Sequence, residues 1–389
     1  MGFRILTLND IATRGLERLP REHYEVGSRV TDPDAVLVRS ADMHALALGP
    51  RLLAVARAGA GTNNIPVAAL TRRGIPVFNA PGANANAVKE LVVVALLLAA
   101  RNVCQAWEFV RKLKAPEAEF EARIEAGKKQ FIGYELPGRT LGVVGLGAVG
   151  VEVANVALAL GMKVLGYDRE ITVQRAWQLS SGVQQALSVE DLFARAEIVT
   201  LHVPLVEATR DLVDAARIGA MPKGAALLNF ARPGIVVEAD VLAALDSGRL
   251  SAYVCDFPTA AIKDHPRVVA LPHLGASTGE AEDNCAVMVV ETLREYLENG
   301  TLRHAVNFPE AQLPRIPGTW RLAIANANVP NMVGQISTAL AAAGLNIADL
   351  LNKSQGEVAY TLIDTETPVT PALLAQVSAI GGVLAARVL

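Results

Sequence analysis

Short apolar runs alternate with longer amphipathic segments in the N-terminal part of the chain. We predict strands at residues 3–8, 35–38, 52–56 and 76–78, because each run is apolar and is followed by polar residues or glycine. Helical segments lie between these strands. Strands that alternate with helices indicate a parallel sheet with crossover helices.

The same alternation resumes in the middle of the chain. Residues 140–144 form an apolar run, residues 151–160 have helical spacing, and Gly161 follows as a left-handed helix end. A second apolar strand at 163–167 ends in Asp168. Further strands are predicted at residues 198–203, 225–228, 252–254 and 268–271.

The C-terminal part has a different pattern. A linker rich in proline at 312–318 precedes strand 321–325, helix 332–343, strands 347–351 and 358–363, helix 371–380 and strand 383–388. This βαββαβ order is typical of a small ferredoxin-like module. We therefore predict an α/β protein with two Rossmann- or flavodoxin-like parallel-sheet domains and a small C-terminal α+β domain. The predicted boundaries are residues 1–98 with 278–312, residues 99–277, and residues 319–389.

Two helical segments link the parallel-sheet domains. Asn84 is a good N-cap for a helix at 87–100, in which Lys89 and Glu90 are the only charges before Arg101. A helix that is apolar all round is typical of a buried position, here one shared with a second subunit, so we expect a homodimer or homotetramer. Residues 107–130 are more charged and are predicted to form a solvated helical arm.

Composition excludes several classes of function. The 389 residues are 51% hydrophobic and 19% charged with a net charge of −3, so nucleic acid is not an expected partner. The apolar run at 91–100 is too short for a bilayer, and the N-terminus lacks a signal-peptide pattern. Three cysteines without CxxC spacing favour neither a disulfide framework nor a metal site. We expect a reduced, cytoplasmic protein of two or three domains.

A glycine turn joins the strand at 140–144 to the following helix. Gly145, Gly147 and Gly150 have the G-x-G-x-x-G spacing, which permits a tight turn, close approach of a pyrophosphate and close packing of helix on strand. The helix N-terminus offers free N–H groups to phosphates. Asp168, 18 residues after Gly150, is placed to accept hydrogen bonds from a ribose diol, which favours NAD over NADP despite the adjacent Arg169. The alternative is a structural βαβ unit with an empty crevice.

Polar residues lie directly after the carboxyl ends of the predicted strands. In open α/β sheets ligands bind beyond the carboxyl ends of the strands, so these residues are candidates for a site. His273 follows a strand end and Pro272, and we favour a catalytic role for it over that of a core histidine; His202 is more typical of a structural or cofactor-facing residue. Arginines, a hydroxyl and amides in the first domain would suit an anionic small molecule, although Asn and Gly also form ordinary turns. The stretches concerned are 39–41, 57–64, 79–86, 202–204, 229–232, 255–256 and 272–273.

Several of these stretches together resemble the D-2-hydroxyacid dehydrogenase family, in particular its short members with a C-terminal ACT-like domain. The resemblance covers essentially the whole chain and lies in residues 38–40, 57–64, 84–90, the glycine turn, 229–232, 272–278, 280–286 and 306–309. It implies a substrate-binding domain, an NAD-binding domain and a regulatory domain. It further implies NAD-dependent oxidation of D-3-phosphoglycerate to 3-phosphohydroxypyruvate, the first step of serine synthesis.

The resemblance also implies roles for individual residues. His273 would be the general base, Arg232 would bind the substrate carboxylate, and Arg39, Ser40 and Lys89 would bind the phosphate of a phosphorylated 2-hydroxy acid. Asn346 and Ile347 would contact an amino-acid effector. Further substrate residues would be Ala60, Gly61 and Asn84. The cofactor would be lined by Gly145, Gly147, Ala148, Val149, Gly150, Asp168, His202, Val203, Pro204, Asn229, Phe230, Ala231, Cys255, Asp256, Gly275 and Ala276.

The chain departs from the family pattern at two positions. The Glu that usually holds the catalytic His is absent after Cys255; Asp256 is the favoured replacement, Asp264 is another, and the role could be unfilled. Pro233 stands where the family usually has Gly, and it restricts Arg232 to an extended backbone. Two alternatives therefore stay open: a glyoxylate or hydroxypyruvate reductase, and a non-enzymatic NAD-responsive binding protein on the same fold.

Overall fold

The computed structural model describes residues 2–389 and divides the chain into two compact units. The first comprises Met1–Asn84 with Gly279–Leu389, and the second is Ala85–Thr278. The second unit thus begins before residue 98, where the sequence pattern ends the first domain. The division into three functional domains stays a prediction.

The N-terminal part of the first unit is a five-stranded parallel sheet. Its strand order is β2-β1-β3-β4-β5, so the chain runs from β1 to one side and then returns to the other. The strands are β1 (Phe3–Leu8), β2 (Tyr24–Gly27), β3 (Ala35–Val38), β4 (Ala54–Arg57) and β5 (Val77–Phe78), and the helices are α1 (Thr13–Leu16) and α2 (Val67–Arg72). β2 was not predicted, because its four residues at the sheet edge contain too little apolar alternation.

The second unit contains a seven-stranded parallel sheet with helices around it. Helices α3 (Ala85–Arg101), α4 (Val103–Lys112) and α5 (Glu117–Gly127) and a 3₁₀ turn (Lys128–Phe131) come first. The strands are β6 (Thr140–Val144), β7 (Lys163–Tyr167), β8 (Gln184–Gln185), β9 (Ile198–Leu201), β10 (Ala225–Asn229), β11 (Leu250–Cys255) and β12 (Val268–Ala270). Between them lie α6 (Ala148–Ala159), α7 (Val173–Gln178), α8 (Val189–Arg195), a 3₁₀ turn (Glu207–Thr209), α9 (Ala215–Ala220) and α10 (Glu238–Asp246).

The strand order of the second sheet indicates where its crevice lies. The order is β12-β11-β10-β9-β6-β7-β8, so the chain leaves β6 toward β7 and later returns to the other side of β6 at β9. The carboxyl ends of β6 and β9 therefore form a topological switch point, where open α/β sheets bind ligands. The glycine turn follows β6 and His202 follows β9.

The charged arm predicted at 107–130 is two helices rather than one. The chain is extended at Leu113, and Pro116 precedes α5. Proline has no N–H and disfavours helix in the residue before it, so the helical hydrogen bonds cannot continue through this point.

The remainder of the first unit is a long helix and a four-stranded antiparallel sheet. Helix α11 (Gly279–Asn299) packs on the first sheet, and its Val289 and Leu293 belong to the same buried core as Ile5 and Phe78. The sheet has the order β14-β15-β13-β16, and its elements are β13 (Trp320–Ala327), α12 (Met332–Ala342), β14 (Ile347–Gln355), β15 (Val358–Thr365), α13 (Pro371–Ser378) and β16 (Val383–Val388). This is the predicted βαββαβ module, and the predicted α/β fold class is confirmed. None of the helices within residues 2–389 has the length and apolar character needed to cross a membrane.

Candidate functional site

Each glycine of the turn after β6 has a distinct physical role. Gly145 has a φ of +93°, and a Cβ there would lie 2.6 Å from the carbonyl oxygen of His202. A Cβ at Gly150 would lie 1.8 Å from the carbonyl oxygen of Gly145. A Cβ at Gly147, in contrast, would meet no atom within 4 Å. Gly145 and Gly150 are therefore required by the turn itself, whereas Gly147 leaves space open beside the N-terminus of α6.

Asp168, at the end of β7, is tied to this turn. Its Oδ2 accepts the Leu146 N–H at 2.7 Å, and its Oδ1 accepts the Glu170 N–H at 2.8 Å. Each carboxylate oxygen keeps a lone pair, so the group can still accept hydroxyl hydrogen bonds from a ribose. The carboxylate thus fixes the glycine turn, and its role toward a dinucleotide ribose stays a prediction.

His202 lies against the glycine turn at the switch point. Its N–H donates to the Val144 carbonyl at 2.8 Å, and its ring Nε2 lies 2.9 Å from Thr200 Oγ1. Burial lowers the pKa of His202 to about 3, so the ring is neutral near pH 7. A neutral ring bonded to a neighbouring hydroxyl fits a structural residue beside the turn. Val203 and Pro204 follow it directly.

Asn229, at the end of β10, positions the loop that carries Arg232. Its side chain accepts the Ala231 N–H at 3.1 Å and donates to the Arg232 carbonyl at 3.0 Å. Its own carbonyl accepts the Asp256 N–H at 3.1 Å, which connects this loop to the one after β11. The neighbouring Phe230 is packed in the core.

The Arg232 guanidinium is partly buried, and it has no anionic partner in the part of the chain that the structure describes. Nη1 donates to the Ala231 carbonyl at 2.7 Å, and no ion pair among residues 2–389 includes this side chain. Burial lowers the pKa of Arg232, because desolvation penalises its charged form. A partly desolvated guanidinium without a counter-ion suits a carboxylate ligand. Pro233 is exposed beside it and leads into a turn at Gly234 with a φ of +78°.

Asp256 anchors the loop that carries His273. Its carboxylate is only 2% exposed and accepts the Leu274 N–H at 2.7 Å and the Gly275 N–H at 2.8 Å. Its carbonyl oxygen accepts the His273 N–H at 3.0 Å. Burial raises the pKa of Asp256, and the two N–H donors and the nearby His273 oppose that rise. Asp256 therefore holds the main chain on both sides of His273.

The His273 ring itself is exposed and contacts an aromatic ring. The Phe257 ring lies 4.6 Å from it between centroids at an angle of 51°. The backbone of His273 is left-handed with a φ of +56°. Among residues 2–389, ion pairs of histidine are made by His44, His265 and His304, and His273 is not among them.

The two carboxylates considered for the role of the missing Glu both have other partners, and the role of Asp256 toward His273 stays a prediction. Asp256 uses both carboxylate oxygens on main-chain N–H groups. Asp264 is exposed and pairs with Lys263 at 2.5 Å. The side chain of Cys255, predicted to line the cofactor, is buried in the core, and burial raises the pKa of its thiol to about 11.

In the first unit, Asn9 organises the loop of Arg39 and Ser40. Asn9 follows β1 with a φ of +68°, and its Oδ1 accepts the Ser40 N–H at 3.0 Å and the Ala41 N–H at 2.5 Å. The ends of β1 and β3 form the switch point of this sheet. The sequence reading missed Asn9, although a polar residue directly after an apolar strand was the available signal.

Arg39 makes an ion pair within its own unit. Nη2 lies 2.5 Å from Glu282 Oε1 on α11, with both side chains about 40% exposed. The Arg39 carbonyl accepts the Arg57 Nε–H at 2.8 Å, and Asn64 donates to the Ala41 carbonyl at 2.8 Å. An anionic ligand at Arg39 would therefore compete with Glu282.

The remaining predicted residues lie on loops and helix starts. The Ala60 carbonyl accepts the Asn79 side chain at 2.6 Å, and the Gly61 carbonyl accepts Arg57 Nη1. Asn84 directly precedes α3, which begins at Ala85 rather than at residue 87. Lys89 donates to Asn86 in the first turn of α3. Asn346 is exposed before β14, and its carbonyl accepts the Glu366 N–H at 3.2 Å, while Ile347 begins that strand.

The parallel sheet, the glycine turn at its switch point and the acid at the end of β7 define a dinucleotide-binding domain. Residues 93–275 match the model of the D-isomer specific 2-hydroxyacid dehydrogenase family, NAD binding domain. The chain is also 35% identical over 353 residues to a D-3-phosphoglycerate dehydrogenase of Haemophilus influenzae, covering 87% of this chain and 82% of that one. The chain belongs to the D-isomer specific 2-hydroxyacid dehydrogenase family, and it is an NAD-dependent dehydrogenase.

Further relatives carry the same name at similar identity. The D-3-phosphoglycerate dehydrogenase of Methanocaldococcus jannaschii is 36% identical over 73% of this chain, which spans about half (54%) of that protein's length. Among solved structures, the NAD⁺-bound 3-phosphoglycerate dehydrogenase of Entamoeba histolytica is 25% identical with a TM-score of 0.63, covering 79% of this chain and 99% of that one. The resemblance deduced from the sequence motifs is confirmed.

Proposed function

We propose that this protein oxidises D-3-phosphoglycerate to 3-phosphohydroxypyruvate with NAD, in the cytoplasm, as the first step of L-serine synthesis. The observation that carries the chemistry is the partly buried Arg232 without an anionic partner, connected through Asn229 and Asp256 to His273. A cation for a carboxylate and a base for a hydroxyl are what the oxidation of a 2-hydroxy acid requires. The names of the relatives support the particular substrate.

The glycine turn fits the cofactor. The space beside Gly147, the free N–H groups of Ala148 and Val149 and the Asp168 carboxylate are suited to a pyrophosphate and a ribose diol. Phe230, Ala231, Gly275 and Ala276 would line the remainder. Bound NAD supplies the acceptor for the hydride that leaves the substrate carbon.

The residues of the second unit supply the acid–base and electrostatic parts of the reaction. His273 takes the proton from the substrate hydroxyl at a ring nitrogen, and it returns a proton in the reverse direction. Arg232 binds the carboxylate in a bidentate manner and attracts electron density from the reacting carbon. Asp256 holds the loop that presents His273 through hydrogen bonds to the main chain on both sides of that residue.

Arg39, Ser40 and Lys89 are our candidates for the phosphate, with Ala60, Gly61 and Asn84 as further substrate residues. Arg39 and Lys89 are cationic, and the Ser40 loop is held in place by Asn9. Arg39 would exchange Glu282 for the phosphate, whose additional charge makes it the stronger partner for a guanidinium.

The assay that tests this proposal compares substrates. NAD reduction is measured with D-3-phosphoglycerate, D-glycerate and D-lactate. We expect turnover with D-3-phosphoglycerate at a kcat/KM at least about a hundredfold above that with D-glycerate, since charged phosphate contacts are worth several kcal/mol. His273→Ala should abolish turnover and leave the Kd for NAD nearly unchanged. No turnover on any of the three with NAD bound would exclude the enzymatic function, and equal turnover of D-glycerate would exclude the phosphate role of Arg39.

We also propose that each of the three predicted domains binds one kind of molecule. Residues 1–98 with 278–312 bind the substrate, and residues 99–277 bind the cofactor. Residues 319–389 would then be a regulatory ACT-like domain with Asn346 and Ile347 near an amino-acid effector. A serine titration of the reaction rate tests the effector. A rate that is independent of serine would remove serine as that ligand.

An apolar surface on α3 and α4 supports a homo-oligomer. Large side chains are 43–60% exposed at one face of these two helices: Val94, Leu97, Val103, Trp107 and Val110. Exposed large apolar residues at helical spacing on neighbouring helices are typical of a subunit interface. Sedimentation of Trp107→Glu, compared with the wild type, tests the proposed dimer. A wild type that sediments as a monomer would contradict it.

A further inference from the structure

A cavity of about 470 Å³ lies between the C-terminal sheet and the N-terminal sheet of the first unit. One wall comes from the loops before β4 and after α2, including Leu53 and Arg73. The opposite wall comes from β13, β15 and β16, including Tyr360 and Arg387, and Tyr296 of α11 closes the side. None of the residues predicted from the sequence to bind substrate, cofactor or effector lines this cavity.

Within residues 2–389, the Arg387 guanidinium in this cavity has no acidic partner. It stacks on the Tyr296 ring at 4.2 Å, and its Nη atoms donate to the carbonyls of Tyr296 and Leu297. Its Nε–H is buried without a hydrogen-bond partner. These carbonyls belong to the last turn of α11, so Arg387 partly serves as a helix cap. Hydrogen bonds to neutral carbonyls do not neutralise the positive charge of Arg387, and its Nε–H still needs an acceptor.

Arg73 supplies a second cation. It donates to the carbonyls of Leu48 at 3.2 Å and Gly49 at 2.6 Å, and both of these partners are neutral. No aspartate or glutamate lines the cavity. Two guanidinium groups in a lining that contains no carboxylate make the potential of the cavity positive, and such a concave positive site favours an anion.

The rest of the lining limits the kind of anion. Leu52, Leu53, Leu384 and Ala385 present apolar surface beside the two arginines. A ligand that satisfies both parts has a carboxylate for the guanidinium groups and a short apolar chain for the leucines. The cavity adjoins β16, whereas Asn346 and Ile347 lie at β14, the opposite edge of the sheet.

We propose that this cavity is a binding site for a small aliphatic carboxylate, separate from the catalytic site and from the predicted effector position. Its occupant would bridge Arg73 of the N-terminal sheet and Arg387 of the C-terminal sheet. Both elements belong to one compact unit, so the bridge would strengthen contacts that already exist.

Calorimetric titration of the full-length, NAD-loaded protein with 4-methylpentanoate tests the proposal. We expect one saturable site per chain that the neutral 4-methylpentanamide does not occupy. Arg73→Gln and Arg387→Lys should each weaken binding by about tenfold or more. The first variant loses a charged hydrogen bond, and the second keeps the charge but loses the fork geometry of the guanidinium. Arg72→Gln, a neighbouring exposed arginine outside the cavity, is the matched control and should bind as the wild type does.

Two further measurements separate this cavity from other anion sites. Arg232→Gln, in the second unit, should leave the titration unchanged; loss of binding in that variant would place the carboxylate at the catalytic residues and overturn the proposal. Absence of saturable binding, or equal affinity of Arg73→Gln and Arg72→Gln, would overturn it as well. Binding of inorganic phosphate in preference to the carboxylate would contradict the proposed ligand class.

Discussion

At the scale of single residues, the acid next to the catalytic candidate acts on the backbone. Asp256 is buried, and both of its carboxylate oxygens accept main-chain N–H groups that flank His273. The loop it holds includes a left-handed histidine, a conformation that costs free energy and persists only where surrounding contacts fix it. The loop geometry therefore depends on one carboxylate, and the ring is held by the Phe257 contact.

Asp256→Asn should lower kcat by about tenfold or more and leave the Kd for NAD within about threefold. An amide has one acceptor oxygen, so one of the two N–H groups loses its partner at a cost of about 1–3 kcal/mol. Steady-state kinetics and thermal unfolding measure both effects. Asp264→Asn, an exposed acid, is the control and should change neither. A wild-type kcat in Asp256→Asn would show that the loop does not need this carboxylate.

The neutral His202 predicts a loss of stability in acid. Its folded pKa of about 3 lies below the ordinary value of 6.5, so the unfolded state binds the proton more readily. The free energy of unfolding should therefore fall as the pH decreases from about 6.5 toward 3, by up to about 2 kcal/mol at pH 5 and less to the extent that solvent reaches the ring.

Urea unfolding at pH 7 and pH 5 measures this loss. His202→Gln keeps a polar side chain that does not titrate, so its stability should change less between the two pH values than that of the wild type. His44→Gln, an exposed histidine, is the comparison. Equal pH dependence of the wild type and His202→Gln would contradict the assignment.

At the scale of elements, the turn between β6 and α6 contains one glycine that the fold requires and another that ligand binding requires. Gly150 is needed because a Cβ there would overlap the Gly145 carbonyl at 1.8 Å. Gly147 faces open space and has an ordinary negative φ of −72°, so the fold alone does not demand glycine there. Glycine at position 147 is explained if a ligand approaches the backbone there, because any side chain would stand in its way.

Gly147→Ala and Gly150→Ala should therefore differ. Gly147→Ala should retain the wild-type melting temperature and bind NAD at least about tenfold more weakly, whereas Gly150→Ala should lower the stability by about 1–3 kcal/mol because of overpacking. Thermal unfolding without NAD and fluorescence titration with NADH measure the two effects. Unchanged NADH affinity in Gly147→Ala would place the pyrophosphate elsewhere.

At the scale of the whole molecule, a buried ion pair attaches the C-terminal sheet within the first unit. Arg321 and Asp364 are both fully buried and form two hydrogen bonds of 2.7 Å. Arg321 also donates to the carbonyls of Asn299, Leu313 and Pro314, which belong to the end of α11 and to the linker. All five guanidinium donors are used, so the charge is fully satisfied in the interior.

Arg321→Met should destabilise the first unit by about 3–5 kcal/mol, because it leaves the Asp364 carboxylate buried and unpaired. The double variant Arg321→Met, Asp364→Leu should recover most of that loss, since an apolar pair of similar volume avoids the buried charge. Chemical unfolding of both variants and the wild type measures the difference. A double variant as unstable as the single one would show that the carbonyl contacts, rather than the charge pair, dominate.

Secondary-structure elements with a clear local sequence pattern were predicted correctly, and elements without one were missed. The strands at 35–38, 140–144 and 163–167 were predicted with their observed bounds, because buried strands are continuous apolar runs. The edge strands β2 and β8 were not, since half-exposed edges carry little apolar pattern. The break before Pro116 was missed, although proline was the signal.

By itself the sequence determined the fold class, the family and the dinucleotide turn, because apolar period, glycine spacing and chain order are local properties. It also presented His273 and Arg232 as candidates at strand ends. Only the tertiary structure decided what their neighbours do: that Asp256 bonds the main chain, that Asn229 joins the two loops, and that Glu282 engages Arg39. These pairings join residues far apart in the chain, and their geometry depends on packing that no local pattern encodes.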